Sequence, residues 1–185
     1  MKFPIYSALT SIALAMASPP CFAQNTPMQN QELFDRIDKD MSRFPFDMKE
    51  EEAQKLKIEG VTYNQDEDDF GVLIDETGVL HNFYDGLYGK SIEIDPSAIA
   101  QPIKALGIGL ARSQKEVLAA FSEYSGGKQL ECDYSYDSDG PKKVRLSDEV
   151  YCNFTFDNEY DAGVGLTFDG KDQLVRVYVQ AWNPF

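Results

Sequence analysis

Hydrophobic residues recur at helical spacing near the start of the chain. The apolar positions are Leu33, Phe34, Ile37 and Met41. Charged residues lie between them, so the pattern predicts an amphipathic helix over residues 29–42. Asp47, with Glu50 three residues later, fits a capping box, and a second short helix is therefore predicted to run to about residue 56.

From residue 61 onward the pattern changes to alternation and short apolar runs. The predicted strands are residues 70–74, 79–84 and 91–94. The first two flank the turn-forming sequence Asp75-Glu76-Thr77-Gly78, which indicates an antiparallel hairpin. The third follows turns predicted at Gly86 and Gly89.

The second half of the chain repeats this order of elements. Apolar positions over residues 99–106 have helical spacing, but Pro102 limits them to a short or irregular helix. A clearer helix is predicted to begin at Ser113, whose hydroxyl caps the backbone while Glu116 reaches back. Four strands follow, at residues 129–136, 149–156, 163–168 and 174–181.

This order predicts an α+β fold, with helices packed on one face of an antiparallel sheet of about eight strands. Residues 24–185 are long enough for one domain with a proper core. The domain has possible half-repeats at residues 29–95 and 96–185, each a unit of helix, helix and strand meander. The two halves share no convincing residue-by-residue identity, so the repeat is one of topology.

Residues 1–23 are typical of a cleavable export signal. Lys2 supplies a positive start, residues 5–17 form a short apolar stretch, and Cys21-Phe22-Ala23 fits a small-x-small cleavage site before Gln24. The apolar stretch is too short and too polar to span a bilayer stably. We therefore expect an exported, periplasmic protein without a stable membrane span.

Charge narrows the range of partners. The chain has 17 Lys and Arg residues against 31 Asp and Glu residues, for a net charge of −14. Loss of Lys2 with the signal gives −15. Nucleic acid and anionic lipid are disfavoured because their recognition needs Lys and Arg to displace counterions. Basic proteins and cations remain possible partners.

Two cysteines, Cys132 and Cys152, remain after signal removal. An even pair in an oxidising compartment predicts a disulfide. A redox-active or metal-binding pair is the alternative, but such pairs usually have Cys-x-x-Cys spacing or nearby histidines, and neither is present.

Catalytic and metal-binding motifs are incomplete in this sequence. His81 is the sole histidine, and no Gly-x-Ser-x-Gly sequence accompanies it, so a structural histidine is favoured over a catalytic one. The acidic run at residues 64–69 lacks the glycine of a calcium-binding loop, and Leu146 stands where the run from Ser135 needs an acid. We therefore predict a protein that is not an enzyme and carries no cofactor or metal.

Tyrosines beside acidic residues are the remaining feature. The candidate binding residues are Tyr63, Asp66, Asp68, Asp69, Tyr84, Tyr88, Tyr134, Tyr136, Asp137 and Asp139. Aromatic anchors ringed by carboxylates suit an interface that attracts and holds a basic protein. The alternative, equally favoured, is that these tyrosines pack half-buried on a sheet while the acids keep the protein soluble.

Residues 106–181 also carry a family resemblance. A glycine-led helix over residues 106–121 precedes strands with Tyr151-Cys-Asn-Phe-Thr-Phe-Asp157 and Leu166-Thr-Phe-Asp-Gly-Lys171. This segment resembles outer-membrane assembly lipoproteins of the SmpA/OmlA type and β-lactamase-inhibitor-protein-like domains. The lipoproteins carry a lipid anchor whose motif the residues before Cys21 do not match. The resemblance implies a binding module, and the inhibitor-like group fits better.

The leading hypothesis is therefore a periplasmic, non-enzymatic inhibitor or immunity protein. It would neutralise a basic protein such as a wall-degrading toxin or a lysozyme. An envelope-assembly or scaffold accessory is the alternative, and a cell-wall hydrolase is third.

Overall fold

The computed structural model describes residues 29–65, 70–84, 86–137, 144–156 and 162–181. Its helices are α1 (Asn30–Met41), α2 (Glu50–Lys55), a 3₁₀ turn (Ala105–Gly107) and α3 (Gln114–Tyr124). Its strands are β1 (Thr62–Gln65), β2 (Gly71–Ile74), β3 (Leu80–Tyr84), β4 (Gly86–Glu93), β5 (Glu131–Asp137), β6 (Val144–Thr155), β7 (Gly163–Phe168) and β8 (Leu174–Gln180). No helix in these ranges has the length and apolar character needed to cross a membrane.

All eight strands form one antiparallel sheet, in the order β1-β2-β3-β4-β8-β7-β6-β5. Each half of the chain contributes a meander of four strands, and the two meanders join where β4 pairs with β8. The α+β fold predicted from the sequence is confirmed. Because the second meander is laid down in reverse order, β1 and β5 lie at opposite edges of the sheet.

The helices cover one face of this sheet. A cross-strand row on that face comprises Leu73, His81, Lys90, Val179, Val164 and Phe154. Phe121 of α3 lies 6.0 Å from the ring of Phe154, and Phe34 of α1 lies 5.7 Å from that of Phe156. Neighbouring strand residues point to opposite faces, so the side chains that alternate with this row lie on the face away from the helices. We call it the open face.

Several elements differ from the prediction. Strand β1 was not among the predicted strands, β6 begins at Val144 and not at residue 149, and only the 3₁₀ turn Ala105–Gly107 forms within residues 99–106. Helix α2 begins at Glu50, not after Asp47, with Lys49 as its N-cap residue. The Lys49 N–H donates to the Glu52 carboxylate at 3.3 Å. Phe46 and Met48 are buried in the core, which holds the segment before α2 in a turn and delays the helix.

Strand β4 is also longer than predicted, because Gly86 and Gly89 lie within it and not in turns. A register shift at Asn82/Phe83 accommodates the longer pairing with β3. Pairing with two neighbouring strands outweighs the local preference of glycine for turns. The helix predicted from Ser113 is confirmed, with Glu116 accepting from both the N–H and the hydroxyl of Ser113.

The predicted disulfide is confirmed as well. Cys132 of β5 faces Cys152 of β6 directly across the ladder, with the two Cα atoms 3.9 Å apart. Cys152 is buried, whereas Cys132 is exposed. The bond therefore links the exposed edge strand β5 to β6, whose Cys152 lies in the core.

Candidate protein-binding surface

The tyrosines predicted as binding residues occupy different environments. Tyr63 of β1 points to the helical face, where its hydroxyl donates to Glu50 and accepts from Gln54 at 3.4 Å. Burial, followed by the hydrogen bond to Glu50, raises its pKa. These contacts hold α2 against the edge of the sheet.

Tyr84 and Tyr88 lie near the connection between β3 and β4. Tyr84 is 60% exposed and stacks on Phe70, with ring centres 5.0 Å apart. Tyr88 is half-buried, and its carbonyl accepts the N–H of Ala181 at 2.9 Å. Only Tyr84 of this pair presents most of its side chain to solvent.

Tyr134 lies on the opposite edge strand, β5. It is 39% exposed, and the guanidinium carbon of Arg145 lies 3.6 Å from its ring centre. Tyr136 and Asp137 belong to β5, but their side chains lie outside the described part of the structure. The remaining predicted residues, Asp66, Asp68, Asp69 and Asp139, lie outside the described residues.

The described members of this set do not form one surface. Tyr63 and Tyr134 belong to the two edge strands of an eight-stranded sheet. Seven strand spacings separate these edges, about 33 Å if the sheet is taken as flat. Their side chains also point to the same, helix-covered side of the sheet, away from the open face.

The open face instead gathers a different set of polar and aromatic residues. One row across β4, β8, β7, β6 and β5 consists of Glu93, Arg176, Thr167, Tyr151 and Asp133. The next row consists of Ser91, Tyr178, Gly165, Asn153 and Glu131. We define the tyrosine patch as Glu93, Glu131, Asp133, Glu149, Tyr151, Asn153, Arg176 and Tyr178. It combines two half-buried tyrosines with four carboxylates and one guanidinium.

Tyr178 is held in place by a glycine on the neighbouring strand. A Cβ atom at Gly165 would lie only 2.1 Å from the Tyr178 ring, so the ring occupies the space that the glycine leaves. From there the hydroxyl donates to the Asn153 side-chain carbonyl, 2.6 Å away on β6. Burial raises the pKa of Tyr178 above its ordinary value of 10.0, so the hydroxyl stays protonated well above neutral pH. The ring therefore lies across three strands in a fixed position.

Tyr151 is fixed by an acidic neighbour on its own strand. Its hydroxyl donates to Glu149, and this hydrogen bond is the main reason that the pKa of Tyr151 is raised. Arg176, the guanidinium of the tyrosine patch, bonds Glu93 at 2.6 Å. That pair leaves Glu131, Asp133 and Glu149 as the excess negative charge beside the tyrosines.

A surface of this kind suits protein recognition. Ordered tyrosines supply contact area at a low cost in conformational entropy, and they are enriched at protein interfaces. Carboxylates around them attract a positively charged partner and disfavour an acidic one.

The tyrosine patch was not predicted, because the predicted binding residues were tyrosines next to acids along the chain. Here the acids Asp133 and Glu93 come from other strands than the tyrosines they accompany. A usable signal was present in β8, where Val177 and Val179 alternate with Tyr178. That alternation places Tyr178 on the face opposite the core.

A second polar group lies beneath the helices. His81 and Lys90 are opposite each other on β3 and β4, and both are fully buried. Lys90 donates to Asp38 of α1, while His81 contacts the Leu73 carbonyl through Nδ1 at 3.3 Å. Asp75 lies 3.9 Å from His81 Nε2, for which the described residues provide no hydrogen-bond partner. Burial of His81, Lys90 and Asp75 favours a structural role.

The buried histidine makes stability sensitive to acid. Burial is the main cause that lowers the pKa of His81 from 6.5 to about 4. The unfolded chain therefore binds a proton between these values that the folded chain does not, and stability falls as pH decreases through this window. We expect a loss of about 2 kcal/mol between pH 7 and pH 5 from this residue.

Urea unfolding at several pH values measures this effect. The variant His81→Gln keeps a polar amide but cannot take up the proton, so its unfolding free energy should depend less on pH over that interval. Parallel curves for the two proteins would contradict the assignment of the pH dependence to His81.

Comparison with known proteins identifies no relative of this chain. No family model, curated protein or solved structure matches this chain. The resemblance of residues 106–181 to the inhibitor-like and assembly-lipoprotein families stays a prediction. Within the described ranges, no three or more His, Cys, Asp or Glu residues are arranged to hold a metal ion.

Proposed function

We propose that this chain is an exported, periplasmic, non-enzymatic module that binds a basic protein and neutralises it. Examples of such a partner are a wall-degrading toxin and a lysozyme. Cleavage before Gln24, as predicted from the sequence, would release the acidic domain into the compartment where its disulfide persists.

One observation carries this proposal: the tyrosine patch on the open face. Tyr178 and Tyr151 are already ordered by Gly165, Asn153 and Glu149 before any partner binds. Binding therefore does not have to restrict these side chains, which favours affinity.

Charge supports a basic partner. The net charge of −14 attracts cations over a distance of about 10 Å at 0.1 M salt, and the carboxylates of the tyrosine patch concentrate part of it at the tyrosines. Electrostatic attraction of this type acts mainly on the association rate, while the buried contacts determine the dissociation rate.

Affinity capture with the oxidised, mature protein tests the proposal. Periplasmic extract is applied to the immobilised protein, and bound proteins are identified after washes at low and high salt. We expect a basic protein to be retained at low salt and released in part at high salt. Recovery of no basic protein at either salt concentration would overturn the proposal.

A further inference from the structure

Within the described part of the structure, strand β5 forms an edge of the sheet. It is paired with β6 and is the last strand in the order of the sheet. Four successive residues, 131–134, are exposed, so solvent reaches both faces of this part of the strand. Soluble proteins usually protect such an edge with a short strand, a proline, a charged side chain, a β-bulge or a covering loop. The segment 131–134 contains neither proline nor lysine, but it carries the acids Glu131 and Asp133. A register shift between Tyr134 and Tyr136 ends the regular ladder, so the part of the edge that can accept a strand is residues 131–134.

The backbone of β5 presents hydrogen-bonding groups to this edge. The 3.9 Å separation of the Cys132 and Cys152 Cα atoms identifies a close, non-hydrogen-bonded pair of an antiparallel ladder. The N–H and C=O groups of Cys132 therefore point away from β6, and those of Tyr134, two residues on, do the same. A second observation agrees, because the Tyr134 N–H donates to the Asp133 carboxylate at 2.8 Å and not to β6. That carboxylate oxygen takes the place that a carbonyl of an added strand would occupy.

The negative charge of β5 determines which strands can be added to it. Glu131 and Asp133 stand on the open-face side of β5, next to Asn153 and Tyr151 of the tyrosine patch. A second copy of β5 would bring the same acids against each other, and like charges opposite each other are destabilising in a sheet. An extended segment with Lys or Arg at alternate positions meets these carboxylates favourably.

We propose that β5 takes up an extended, basic segment of the partner as a ninth strand of the sheet. Addition of a strand to an exposed edge is a general mode of peptide recognition, in which main-chain hydrogen bonds give affinity and alternate side chains give specificity. The inference rests on the proposed function for the partner's charge. Residues 131–134 are exposed, so burial does little to order them. The disulfide holds β5 in register with β6 before any partner binds.

A proline at position 134 tests the edge. The Tyr134 N–H points outward, so Tyr134→Pro removes an edge donor and blocks the approach of a strand without breaking the ladder to β6. Tyr134→Ala lacks the same side chain but keeps the N–H. The probe is a synthetic peptide of about ten residues that alternates Lys with Val, which is long enough to span the strand. Its control carries N-methyl groups on alternate residues and has the same charge.

We expect the peptide to bind the Pro variant at least tenfold more weakly than the Ala variant. On the unsubstituted protein, it should slow hydrogen exchange of the Cys132 and Tyr134 amides. Retention of the disulfide and the thermal midpoint shows that the Pro variant is folded. If that variant does not fold, the N-methylated peptide makes the same comparison on the unsubstituted protein, with weaker binding expected.

Two results would overturn the inference. One is equal binding to the Pro and Ala variants, and the other is saturation by the peptide without protection of the two amides. Peptide binding that is lost on Tyr178→Ala but not on Tyr134→Pro would leave the proposed function intact and reject the edge. Capture of no basic protein by the unsubstituted chain would reject the proposed function itself.

Discussion

Asp38→Asn is expected to lower the free energy of unfolding by about 3 kcal/mol or more, because it leaves a buried ammonium without its counter-charge. Lys90 is fully buried, and its ammonium donates to Asp38. The Phe46 ring, 4.8 Å from the ammonium, and the more distant carboxylates of Asp75 and Asp47 compensate for only part of the lost carboxylate. Chemical unfolding monitored by circular dichroism at pH 7 measures the change.

The matched variants are Lys90→Met and the double variant Asp38→Asn/Lys90→Met. Lys90→Met leaves Asp38 partly exposed and still accepting the Phe46 N–H at 3.4 Å, so its cost should be much smaller. The double variant removes the buried charge as well and should recover most of the loss of Asp38→Asn. Equal losses for the two single variants would show that burial of the Lys90 charge does not govern stability here.

Tyr178→Ala and Tyr151→Ala are each expected to weaken binding of the basic partner by about 30-fold or more, the effect typical of a central aromatic anchor. The tyrosine patch loses contact area in both cases. Tyr178→Ala also uncovers Gly165 and releases Asn153 from its hydrogen bond. Surface plasmon resonance with the captured basic protein measures both affinities and rates.

Two control variants show whether the loss of affinity is specific to the tyrosine rings. Leu110→Ala removes an exposed side chain that is not part of the tyrosine patch, and it should bind within a few-fold of the unsubstituted protein. Tyr178→Phe keeps the ring over Gly165 and removes only the hydroxyl, so it should retain more affinity than Tyr178→Ala. Unchanged affinity for both tyrosine-to-alanine variants would place the binding surface elsewhere on the chain.

Local patterns were sufficient to predict much of the fold. Helix α1 followed from the spacing of its apolar residues, α3 from Ser113 and Glu116, and the Cys132–Cys152 bond from the count of cysteines after the signal. Each depends on residues close in sequence or on a pair with no competitor. Within each meander, neighbouring strands are consecutive in sequence, so hairpin turns are enough to predict their order. The pairing of β4 with β8, which joins the two meanders, is not encoded by any turn.

The candidate surface was not predictable in the same way. Tyr151 meets Asp133 only through pairing of β6 with β5, and Tyr178 reaches Asn153 only because Gly165 lies between them. Cross-strand register brings these residues together, and no spacing along the chain encodes it. The start of α2 was misplaced for a related reason, since burial of Phe46 and Met48 outweighs the local capping preference of Asp47.

The most direct measurement is the hydrogen-exchange and cross-linking footprint of the captured basic protein on the unsubstituted, oxidised chain. The account predicts protection and cross-links on β5, β6 and β8, around Tyr151, Tyr178 and Asp133. A footprint confined to the helical face or to the β1 edge, with these three strands unchanged, would contradict it.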